Sequence, residues 1–74
     1  MNADNLVIMA NQIGSFFETM PDRKQALTDI AEHIKRFWEP RMRRSLLQHA
    51  DAPEGTELTG IVLEALQRHR ASIV

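Results

Sequence analysis

Apolar residues recur every three or four positions through most of this chain, the spacing of an amphipathic helix. The pattern is interrupted at Pro21, Pro40 and Pro53, the last beside Gly55, which leaves four helical segments. In the first, about residues 5–20, Leu6, Met9, Ala10, Ile13, Phe16, Phe17 and Met20 share one face, with Asp4 or Asn2 able to cap its start. Val7 and Ile8 lie off that stripe. The second, about 22–38, opens with Pro21-Asp22, and Gln25 stands three residues past Asp22 as in a capping box. Its stripe is Ala26, Leu27, Ile30, Ala31, Ile34, Phe37 and Trp38; Glu32 precedes Arg36 by four, the favourable order for a helical ion pair. Pro40 disfavours helical geometry at Glu39 and starts a third segment, about 40–49, with Met42, Leu46, Leu47 and Ala50 on one side. After a loop at 51–55, Thr56 is positioned to cap a last helix, about 57–69, along which Leu58, Ile61, Val62, Ala65, Leu66 and His69 align. Residues past Arg70 are expected to fray.

No stretch of β-branched residues alternates with polar ones. The pattern therefore predicts an all-α fold: a small antiparallel helical bundle of three to four helices in a single domain spanning 1–74. Ile13, Phe16, Leu27, Ile30 and Ile34 are expected in its core.

Length changes the picture. A chain of 74 residues without Cys has no disulfide to offset a small core. Association with a partner is the expected extra stabilisation. The first helix points the same way: apart from Val7 and Ile8, its surface outside the stripe is polar but has no Lys or Arg. Either that surface is simply exposed, or a partner covers the helix on a second side. A mid-helix Gly14 costs about 1 kcal/mol relative to Ala and favours close approach of another backbone. The net charge of −1 gives no general pull toward nucleic acid or anionic membrane. No secretory leader is apparent, and the longest apolar run near the start, Leu6 to Ala10, is too short for a membrane span. The expected location is cytoplasmic.

Candidate chemistry is sparse. There is no Gly-rich phosphate loop, no nucleophile elbow and no HExxH. The His residues, 33, 49 and 69, never pair at helical ligand spacing. No catalytic residue, metal site or cofactor is expected. Asp29 and His33, four apart, read as a surface pair. The exception is the basic segment, where Lys35, Arg36, Arg41, Arg43 and Arg44 stand against Glu39 alone and flank Phe37 and the only Trp, Trp38. It reads as a solvated face, as a protein interface built from Trp and Arg, or as a nucleic-acid or phosphate patch. The near-neutral net charge and the lack of a second basic stripe disfavour the last. Trp38 fits the core, yet lies close enough to the Pro40 break for a partner to reach it.

The order of segments resembles a known family. Asn5-Leu6-Val7-Ile8-Met9-Ala10-Asn11-Gln12-Ile13-Gly14-Ser15-Phe16-Phe17, then Pro21-Asp22-Arg23, Ile30-Ala31-Glu32-His33-Ile34 and Phe37-Trp38-Glu39-Pro40-Arg41-Met42-Arg43, look like the small delta subunit of NAD-dependent, molybdenum-containing formate dehydrogenases. The segment after the loop is similar only in its apolar pattern. The resemblance implies a cofactor-free accessory subunit that assists assembly, stability or cofactor insertion. Its implied partner is the large molybdenum-containing subunit. The contact residues expected are Phe37, Trp38, Pro40, Arg41, Met42 and Arg43, with Asn11 and Gln12 as secondary contacts. Two other readings stand beside it: a helical regulator that binds nucleic acid through Arg41, Arg43 and Arg44, and a homo-oligomeric bundle.

Overall fold

The computed structural model describes residues 3–52 and 57–74, with Ala3 and Asp4 described in backbone alone. Helix α1 spans Ala3–Phe17, α2 Arg23–Phe37, α3 Pro40–Ala50, α4 Gly60–Arg68 and α5 Arg70–Ile73. The all-helical, sheet-free bundle is as the periodicity predicts. The number of helices is not: the described residues form five rather than three to four. The extra one is the stretch expected to fray. Ile73 is fully buried there, Arg70 pairs with Asp51 at 2.7 Å, and Lys35 Nζ donates to the Val74 carbonyl at 3.3 Å. One deeply placed Ile and two polar tethers order a terminus that propensity alone would release.

Helix α2 is central and packs against α4, α5 and α1. Asp22 is its N-cap and accepts the Gln25 backbone N–H at 3.2 Å. The Gln25 side chain does not reach back to complete a capping box; it donates to Asp29 Oδ1 at 2.8 Å. At the other end Trp38 and Glu39 are extended and Pro40 takes the first turn of α3, as the steric rule for a residue before proline requires. The core combines Leu27, Ile30 and Ile34 with Leu46, Leu47, Ile61, Val62 and Leu66.

The first helix is rotated from its expected setting. Leu6, Val7, Ala10 and Gly14 face inward, while Phe16 is 70% exposed and Met9 40%. Phe16 is therefore not a core residue, and Val7, off the predicted stripe, is. The cause is a second neighbour. Helix α1 contacts α4 as well as α2 and α3, and α4 approaches along Gly14. A Cβ at position 14 would lie 2.5 Å from Val62 Cγ2 and 3.2 Å from Ile61 Cγ2. The close approach at Gly14 comes not from another backbone but from side chains of Ile61 and Val62 on this chain's own α4.

Asn11 seals that contact. Its amide donates to the Glu57 carbonyl at 3.0 Å and accepts from the Thr59 N–H at 3.0 Å. Helix α4 starts only at Gly60, with Thr59, extended, as its N-cap. Thr56, the expected cap, lies outside the described residues, as do Asn2 and the Pro53–Gly55 part of the loop; Asp4 falls inside α1.

Candidate interaction face

Rotating α1 leaves an open apolar hollow of about 420 Å³ between it and α2, lined by Met9, Gln12, Ile13, Phe16, Phe17, His33 and Trp38. Trp38 is 5% exposed and forms part of the hollow's wall from within the core. A second, smaller hollow shares Phe17 and His33 with the first and continues to Asp29, Glu32, Arg36 and Phe37. Across both runs a chain of rings. Phe16 meets Phe17 edge-on at 5.1 Å, Phe17 meets His33 at 6.3 Å, and His33 meets Phe37 at 4.8 Å between centroids. Phe37 is itself 70% exposed. The two end rings, Phe16 and Phe37, are exposed, and the two middle ones, Phe17 and His33, are half-buried.

The corner between α2 and α3 adds charge. Arg36, Arg41 and Arg44 are exposed there and form no ion pair within the described residues. The expected Glu32–Arg36 bridge is not formed. The ion pairs lie elsewhere: Arg23 and Arg68 on Glu64, and Arg70 on Asp51, whose hydrogen bond and charge raise the Arg70 pKa above its ordinary value.

Arg43 differs from its neighbours. Its Nη1 donates to the Lys35 carbonyl at 3.1 Å and the Trp38 carbonyl at 2.8 Å, closing the C-terminus of α2, where a cation also complements the helix dipole. Its Nε is buried without a partner. The eight residues singled out from sequence thus divide. Phe37, Pro40, Arg41 and Gln12 are exposed. Trp38 is buried and Met42 half-buried against the core, while Arg43 and Asn11 spend their polar groups inside the chain. Sequence reading missed Met9 and Phe16 as surface residues, because both sit on the apolar stripe. The signal available was Gly14 together with Val7, which marks a different side of α1 as the packed one.

Among the described residues no group of three or more His, Asp or Glu side chains is placed to hold a metal, and no helix is long and apolar enough to cross a membrane. Residues 5–66 match the family model described as NADH-dependant formate dehydrogenase delta subunit FdsD. No curated protein and no solved structure matches the chain.

Proposed function

The chain belongs to the FdsD family, and from that premise we propose that it is a non-catalytic accessory subunit of formate dehydrogenase that binds the catalytic subunit and assists its assembly, stability or cofactor insertion. The partner surface is the large molybdenum-containing subunit. The observation that carries the docking face is that exposed Phe16 and Phe37 end one chain of rings, with Arg36 beside Phe37 in the smaller hollow, and that Arg36, Arg41 and Arg44 are exposed and form no ion pair among the described residues. Aromatic and Arg side chains are the types enriched where interfaces concentrate binding energy. An Arg fork is suited to bidentate contact with a carboxylate.

In this reading Phe37, Pro40, Arg41 and Gln12 contact the large subunit directly. Trp38, Met42, Arg43 and Asn11 shape the face from beneath: Arg43 fixes the α2–α3 corner, Asn11 fixes the contact of α1 with the start of α4, and Trp38 walls the hollow. The chemistry of formate oxidation belongs to the partner.

The test is to produce the formate dehydrogenase complex with and without this chain. With it, the chain copurifies, and the complex shows higher thermal stability or molybdenum content. Equal assembly, metal content and stability in its absence, with no copurification, would refute the accessory role.

A further inference from the structure

We propose that the free chain pairs with a second copy of itself through the outer face of α2, the two helices running antiparallel. The face is the smaller hollow, about 190 Å³, lined by Phe17, Asp29, Glu32, His33, Arg36 and Phe37. Arg36 and Phe37 also belong to the proposed docking face. The pair is therefore a state of the chain before docking, and only that exclusion rests on the docking reading.

The hollow carries both signs of charge. Glu32 and Arg36 are exposed, stand four positions apart and still form no ion pair among the described residues. Asp29 accepts a hydrogen bond from the Gln25 amide at 2.8 Å and likewise forms no ion pair there. Elsewhere the chain joins its charges across helices, Arg23 to Glu64 and Arg70 to Asp51. On this face two carboxylates and a guanidinium lie together unjoined.

Their order selects the occupant. Along α2 the carboxylates come first and the guanidinium last, with Asp29 and Arg36 seven positions, or about 10 Å, apart. A face with opposite signs at its two ends is complementary to itself turned round. In a two-fold pair the same patch meets itself, and each contact occurs twice. With the axis crossing midway, beside Glu32 and His33, Asp29 of each copy comes level with Arg36 of the other, and Glu32 with His33. Parallel helices would set Asp29, Glu32 and Arg36 against their own counterparts, and like charges across an interface are penalised. The charges therefore fix direction and register. The apolar contribution comes from Phe37, which is 70% exposed in the single chain and in this register comes level with Thr28 of the other copy. Burying that ring adds to a core that is small in so short a chain.

The experiment measures the mass of the chain by sedimentation at increasing concentration, up to about 1 mM, where even weak pairs form. Wild type should pass from monomer to dimer, and added salt should weaken the dimer. Arg36→Glu leaves the face only acidic charge, and Asp29→Lys with Glu32→Lys leaves it only basic charge. Each variant alone should dimerise about tenfold more weakly or worse. Mixed in equal amounts, the two should restore a dimer containing one of each, since opposite faces then meet. Glu32 and Arg36 are exposed and Asp29 is half-buried, so melts followed by circular dichroism should stay close to wild type. If loss of the Gln25 bond destabilises the double variant, Glu32→Lys alone serves as the basic partner. A folded wild-type chain that stays monomeric throughout would overturn the pair and leave the docking reading in place. So would a dimer that neither charge variant weakens, or one that only Met9→Ala with Phe16→Ala dissolves, which would move the contact to the larger hollow. Weakened variants that do not recover on mixing would overturn the antiparallel arrangement.

Discussion

The two ends of helix α2 are finished in different ways. At its start, Asp22 caps the backbone, Gln25 reaches Asp29, and Arg23 is held by Glu64 of α4 at 2.7 Å. At its end the backbone is equally well closed, by Arg43 on the Lys35 and Trp38 carbonyls, but the surrounding side chains are left open. Arg36 forms no ion pair among the described residues, Phe37 projects into solvent, and a hollow lined by both, with Asp29, Glu32, Phe17 and His33, runs alongside. The first end is complete within the chain. The second has a rigid frame and unsatisfied surface chemistry, the combination needed to present a preformed face to a partner at low entropic cost. For a protein this small the two demands compete, because each apolar side chain turned outward is lost to the core.

That contrast is broken most directly at the core beneath α2. Ile30 is fully buried where α2 meets its neighbours. Replacing it with Ala removes a buried branched side chain and leaves a cavity, at a cost of roughly 2–5 kcal/mol. Chemical denaturation of the isolated chain should show a large loss of stability, enough to leave so small a domain marginal. A midpoint close to wild type would mean that α2 is not the central packing element.

A smaller effect is expected at the α2–α3 corner, where two arginines two positions apart have different tasks. Arg43→Ala frees two carbonyls at the end of α2 and should cost roughly 1.5–3 kcal/mol, the range for hydrogen bonds to a charged group. Arg41 is exposed and forms no ion pair among the described residues, so Arg41→Ala should stay within about 0.5 kcal/mol of wild type. On binding to the catalytic subunit Arg41→Ala should act by lost contact, and Arg43→Ala through the disturbed corner. Equal stability losses in the two variants would erase the distinction between frame and face.

The frame was more legible in the sequence than the face. Periods of 3.6 residues and the proline breaks place α2 and α3 closely, because those signals are local. Asp22 as a cap and the turn before Pro40 follow from short-range sterics and hydrogen bonding. The rotation of α1 was not legible, since Leu6, Met9, Ile13 and Phe16 form a plausible buried stripe. The choice is made by packing against α2, α3 and α4, with α4 close against Gly14 and Val7 in the core. Asn11 was noticed for its polarity, but its partners, Glu57 and Thr59, lie more than 45 positions away, and no local pattern encodes that pairing. Helix α5 escaped for a related reason: its order comes from the burial of Ile73 and the tethers at Asp51 and Lys35, all supplied by other helices.

The smallest stability effect belongs to the aromatic face, and there a near-zero result is the informative one. Phe16 and Phe37 end the ring chain, each touching one inner ring edge-on or tilted while most of its surface meets water. Such terminal contacts contribute little next to full burial, because the side chain is hardly transferred out of solvent. Phe16→Ala and Phe37→Ala should therefore each change stability by only about 0.5 kcal/mol or less, measured as the shift in denaturation midpoint. A loss at Phe16 comparable to that at Ile30 would mean the ring is packed inside in solution, that α1 sits on its predicted stripe, and that the hollow does not exist. With stability unchanged, the retention of two large exposed rings on a chain with so little core to spare has no internal explanation, and the weight of their placement falls on what binds there.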